Sequence, residues 1–272
     1  GSKGEGDKVP AAIRPEMSGP LAEYMLLHRH AAAQASIAAS PAIALRLMVA
    51  HAMAGSALWD VRAHELRARK DETQASVEGS ASVAALGEAT AQTDALFMAL
   101  NVNPALRRNG DDYRVCELFS ALLAMSDEEV LTVLASVMAR ALEAGNGIVE
   151  AVLHVCGTDL SAAWKPDDVF FDLTKGKRAI NAMIGDIATL SLAESCRAET
   201  GKAQKQELAN RISGEGCEAN PDWRPGWMQV PPTRLVDGAG SPPADAWTRI
   251  ASLFEAGAEN ASDETPEHQD AA

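Results

Sequence analysis

A chain of 272 residues with 47% hydrophobic side chains holds enough apolar material for one large core or two modest ones, so disorder throughout is excluded. Aromatics make up only 4% and alanine is abundant, which favours closely packed helices over sandwiches and barrels; an all-α fold is expected. Acidic residues outnumber basic ones by 38 to 24, with 13 basic against 20 acidic over 1–160, 10 against 10 over 161–235 and 1 against 8 over 236–272. No segment is electropositive, which speaks against a chain that grips nucleic acid through a basic stripe of its own.

Residues 1–17 are polar and carry Gly and Pro, and read as a linker; Gly1-Ser2 resembles a cloning remnant, implying that the natural protein continues upstream. Order is expected from Ser18, where a cap followed by Pro20 leads into Leu21, Tyr24, Met25, His28 and Ala32 at helical spacing. Ser40-Pro41 repeats the arrangement and starts a second helix through Ile43, Leu47, Ala50 and Ala54 to Gly55, so the two form a hairpin or a sharp corner. The charged stretch RAHELRARKDE at 62–72 reads as a solvated helix face or connector, or as a small basic strip for phosphate or a partner. A longer helix follows from about Ser80 to Leu100, with Gly87 weakening it from inside.

Tyr113 to Met125 predicts an amphipathic helix, and Ser126-Asp127-Glu128-Glu129 is a capping box opening the next. Val130, Leu134, Val137, Met138 and Leu142 form its expected buried face and Gly145 its end. Short helices are expected over Ile148–Val155, around Val169, Phe170 and Leu173, and through Ile180, Met183, Ile184 and Ile187. Ser191 with Glu194 suggests a second capping box, and Lys202 to Ile212 a helix with a basic face. Residues 214–243 are rich in Gly, Pro and Trp and read as non-helical; one last helix spans Asp245 to Ala256 before an acidic tail, 257–272, with the composition of a disordered segment. The expectation is an irregular bundle of about 9–11 helices, forming one domain over 18–256 with a subdivision near 160.

Motifs that carry chemistry are scarce. His28 and His30 stand as HxH, which on a helix points the rings about 200° apart, whereas a zinc protease needs HExxH. The acid pairs Asp111-Asp112, Asp127 to Glu129 and Asp167-Asp168 lie at helix starts, where the helix dipole accounts for them. With no GxSxG, Walker loop or GxGxxG, neither catalysis, nor a metal, nor a cofactor is expected. Four cysteines without a CxxC read as reduced and mostly buried thiols, with Cys217 the most exposed. There is no signal peptide and no apolar run long enough to span a membrane, so a cytoplasmic protein is expected. Lys175, Lys177, Arg178, Lys202, Lys205 and Arg211 are the candidate nucleic-acid contacts, should their two helices pack side by side; Asp172, Asp186, Glu199 and Glu207 would offset them. Trp223, Trp227 and Met228 read as a proline-stiffened plug in the core, or as a stacking platform for bases.

The segments LHRHAAAQASIAASPAIALRLMVAHAMAGSALWDVR, WKPDDVFFDLTKGKRAINAMIGDIA, TGKAQKQ and WRPGWMQVPP together resemble the C-terminal region of long ParB/RepB-type partition proteins of proteobacterial plasmids and chromosomes, over roughly Arg14 to Pro232. The resemblance implies an upstream nucleotide-binding domain and a helix-turn-helix DNA reader, neither of which is in this sequence; Arg107-Arg108 lacks the context of the family's arginine box. It implies a helical accessory domain acting in self-association, as a homodimer, or in docking a partition partner. DNA would be reached through upstream domains, in a nucleoid- or plasmid-associated protein. The other readings are an auxiliary non-specific DNA-binding module on the Lys175 to Arg211 surface and a small-molecule pocket near Trp223 and Trp227.

Overall fold

Ser18 takes an extended conformation and its Oγ accepts the Leu21 amide, so the chain turns into α1, Gly19–Ala38, with Pro20 in the first turn where its missing N–H costs nothing. In this computed structural model, residues 15–54, 64, 66–105 and 112–254 are described; Gly55, residues 1–14 of the linker expected over 1–17, and the acidic tail lie outside them. Glu16 and Met17, which the sequence groups with the linker, are buried. The chain bends by 105° into α2, Pro41–Ala54, so the Ser40-Pro41 junction is a corner.

The helices that follow are α3, Asp71–Glu78; α4, Ala81–Ala99; α5, Asp112–Leu123; α6, Asp127–Arg140; and α7, Gly147–Val155. After these come α8, Leu160–Ala163; α9, Asp168–Leu173; α10, Lys177–Ile187; α11, Leu190–Cys196; α12, Gly201–Ser213; and α13, Pro242–Thr248. The described residues are all-helical and without strands, as composition demands. They hold thirteen α-helices, more than expected, because α3, at the end of the charged stretch, and four-residue α8 have no apolar period to announce them. No single described helix is long and apolar enough to cross a membrane.

Local chemistry explains most boundaries. At the start of α6 the Ser126 amide donates to Glu129 at 2.8 Å while Ser126 Oγ receives the Glu129 amide at 3.3 Å, the reciprocal pair of a capping box. That helix stops at Arg140, short of Gly145, because its last carbonyls are taken elsewhere: Ala139 by Gln34 Nε2 at 3.0 Å, Arg140 by the His64 amide at 2.8 Å, and Leu142, just beyond, by His30 Nε2 at 2.6 Å. Of its expected face Met138 and Leu142 are buried and Leu134 and Val137 partly so, and burial extends further round the helix to Val133, Ala135, Ser136 and Ala139. Helix α11 is capped by Thr189, whose Oγ1 accepts the Leu192 amide, two residues before the expected Ser191. Gly87 does not interrupt α4.

Helix α1 lies at the centre, packed against α2, α3, α4, α6, α7 and α9, while α10 packs on α11 and α12, and α13 on α7. The main core joins both sides of residue 160, from Tyr24, Ile37 and Leu153 to Phe170, Ile184 and Trp227. A second, small core of Phe97, Ala121 and Val133 ties α4, α5 and α6 together.

Candidate functional site

Because α1 is surrounded, its polar side chains are buried and must find partners inside. Arg29 is fully buried; its Nε donates to both carboxylate oxygens of Glu150 on α7, at 2.9 and 3.0 Å, and its Nη2 adds a further bond to the same group. Its Nη1 donates to the Trp227 and Gln229 carbonyls at 2.8 and 3.0 Å. The guanidinium therefore neutralises Glu150 and pins the Trp-Pro segment with its remaining donors.

Glu16 holds the other side of that segment. It accepts Trp227 Nε1 through one oxygen and the Val236 amide, at 2.7 Å, through the other. Gly226, at the start of a 3-10 turn over Gly226–Met228, allows the approach: a Cβ there would lie 2.9 Å from the Thr233 carbonyl oxygen, and the Thr233 amide donates to the Gly226 carbonyl at 2.8 Å. Trp227 and Met228 are fully buried and Trp223 nearly so, its Nε1 donating to Asp186 at 2.8 Å. These rings are a plug; no face is left on which a base or ligand could stack.

A second polar cluster joins α1 to α3 and α9. Asp167 caps α9 through the Phe170 amide at 2.8 Å and accepts Tyr24 Oη at 2.8 Å and Ser76 Oγ at 2.6 Å. Trp164 Nε1 donates to Tyr24 Oη at 3.0 Å, and His28 Nε2 lies 3.2 Å from Ser76 Oγ. Serine, histidine and aspartate meet here, but not in the order a nucleophile needs. The serine proton goes to Asp167, so the ring N–H of His28 donates to the serine instead of withdrawing its proton. Burial lowers the His28 pKa to about 4 and raises that of Tyr24, so neither supplies a base near neutrality.

The six predicted cations are partly gathered and partly dispersed. Helices α10 and α12 do pack side by side, and Lys177 Cγ lies within 3.6 Å of where a Gly201 Cβ would stand. Lys175, Lys177, Arg178 and Lys202 are exposed near the starts of these helices. Lys205 is half-buried and donates to the Phe171 carbonyl; desolvation, with Lys175 nearby, lowers its pKa. Arg211 lies ten residues down α12 from Gly201, about 15 Å at helical rise, and is bound to Glu207 at 2.8 Å. Four exposed cations thus form one neighbourhood, while Lys205 is tied to the Phe171 carbonyl and Arg211 to Glu207 of its own helix. Among the described residues no group of three or more His, Cys, Asp or Glu is placed to hold a metal.

The most distinctive surface is one that the sequence reading did not single out. Helix α5 buries Ala121 in the small core and leaves Val115, Phe119 and Leu123 exposed at 59%, 59% and 70%. Spaced by four residues they form one stripe, and Cys116 beside them is exposed, whereas Cys217, expected to be the most open thiol, is half-buried. From Val115 to Leu123 this stripe carries no charge; Arg114 and Glu117 lie off it and pair with each other. The visible signal was a Tyr-Val-Leu-Phe-rich helix in an otherwise alanine-rich chain, but periodicity does not say which apolar face is covered. Compared with protein-family models, with curated proteins and with solved structures, the chain matches none.

Proposed function

We propose that this chain is a protein association domain without catalysis, the helical accessory part of a ParB-like DNA-binding partition protein, and that it works by self-association through α5. The observation that carries the association is the uncharged stripe of Val115, Phe119 and Leu123, three large apolar side chains left in water on one helix face. The occupant is a second copy of the chain. At a net charge of −14 two copies repel over most of their surface, and the α5 stripe is a place where they can meet without opposing like charges. The partition setting is supported by the sequence resemblance over Arg14 to Pro232.

Sedimentation velocity tests the association. A dimer that Val115→Asp with Phe119→Asp converts to monomer, with the helical circular dichroism unchanged, supports the reading; a strict monomer at high micromolar concentration overturns it. The partition setting is tested separately by retention of a low-copy plasmid in cells whose partition protein carries the same two substitutions.

A further inference from the structure

Where α1, α4 and α6 meet, an open cleft of about 410 Å³ is lined by Gln34, His64, Leu86, Gly87, Asp94 and Arg140 among others. At its inner end one buried acceptor is unanswered. Gln34 is 98% buried, its Nε2 is committed to the Ala139 carbonyl, and its Oε1 has no partner. One turn earlier on α1, and not among the residues that line the cleft, His30 gives its Nε2 proton to the Leu142 carbonyl, which leaves its buried Nδ1 without a partner. Burial, with His64 nearby, holds His30 neutral by lowering its pKa to about 4. His64, whose Nε2 also has no partner, and the C-terminal end of α6, the negative end of a helix dipole, complete this wall.

The rim is ionic. Asp94 and Arg140 both line the cleft, and among the described residues neither side chain has an ion-pair partner. Leu66, Val83 and Leu86 supply an aliphatic side, and at Gly87 a Cβ would meet nothing within 4 Å, so the glycine leaves open space in the middle of α4. Acceptors and a carboxylate call for a cationic donor group, a guanidinium calls for a carboxylate, and the aliphatic wall calls for a small apolar body.

The geometry points to this cleft as a binding site for a small aliphatic α-amino acid, its ammonium toward Gln34 and Asp94 and its carboxylate toward Arg140. The site is separate from the α5 stripe and does not depend on it. Calorimetric titration of the full chain with L-leucine, L-isoleucine and L-valine tests it, alongside 4-methylpentanoate, which lacks the ammonium, and 3-methylbutylamine, which lacks the carboxylate. At least one amino acid is expected to bind, and each truncated analogue to bind at least tenfold more weakly. Arg140→Gln should weaken the amino acid at least tenfold. Gly87→Leu should abolish binding while raising the melting temperature, a combination that loss of folding cannot produce. Absence of binding by all three amino acids, with only water found at Gln34 Oε1 in a crystal structure, overturns the proposal. So does binding that persists in both variants or fails to discriminate the analogues.

Discussion

Helices α1 and α5 invert each other. The first is buried on nearly every side and carries arginine, two histidines, glutamine and tyrosine into the interior; the second lies at the edge and holds valine, phenylalanine and leucine out in water. Polar groups in the core are stabilising only when answered, and Arg29 is answered by a carboxylate and two carbonyls. Apolar groups on the surface contribute nothing to the isolated fold and become useful only when another surface covers them. The contrast separates the two helices: α1 holds the fold together from inside, and α5 carries the face proposed to meet a second copy.

Substitutions should separate these roles. Arg29→Met leaves Glu150 charged and buried without its cation and releases the Trp227 and Gln229 carbonyls, so a loss of about 3–5 kcal/mol is expected in urea unfolding. An effect below about 1 kcal/mol would show that the buried pair is not what fixes the plug.

The pH dependence comes next in size. His28 and His30 are lowered to about 4 chiefly by burial, from an unfolded value near 6.5. Between these values the unfolded chain binds protons that the folded chain refuses. Their contribution is therefore complete above about pH 6.5 and declines as pH falls toward 4, by up to about 1.4 kcal/mol per pH unit for each ring. Replacing His30 by Gln should reduce the slope of unfolding free energy against pH over that window; an unchanged slope would place the titration elsewhere.

Smaller still is Ser126→Ala, which removes the α6 capping box and should cost about 1 kcal/mol in chemical unfolding. At the far end, Phe119→Asp should change the unfolding free energy of the dissociated chain by less than about 0.5 kcal/mol, since exposed sites of this kind carry little stability. A large loss there would mean that α5 is part of the core and would erase the contrast with α1.

The parts of this fold that could be read from the sequence are those governed by neighbours in the chain. Ser18 and Ser126 announce their helices because cap, amide and following acid lie within one turn. The Trp-Pro segment reads as irregular because Pro and Gly restrict or free the backbone locally, and the burial of Trp227 follows from its size. Partnerships across the chain were not legible: Arg29 finds Glu150 121 residues away, and nothing beside either residue marks the pair. The end of α6 was misplaced for the same reason, since the groups that answer its carbonyls come from α1 and from His64. On α5 the amphipathic period was visible, but exposure depends on the packing of α4 and α6. Gln34, the buried acceptor lining the cleft, is a polar residue inside an apolar helical run, which composition alone does not distinguish from a solvated one.

Cys116 offers the most direct probe of the central claim, because it lies exposed beside Val115 and Phe119 while Cys156, Cys196 and Cys217 are half-buried. Its alkylation rate should be measured under reducing conditions across a range of protein concentration, site by site. If a second copy covers α5, alkylation of Cys116 slows as concentration rises, the slowing disappears in Phe119→Asp, and the other thiols are unaffected. A Cys116 rate independent of concentration would contradict the account.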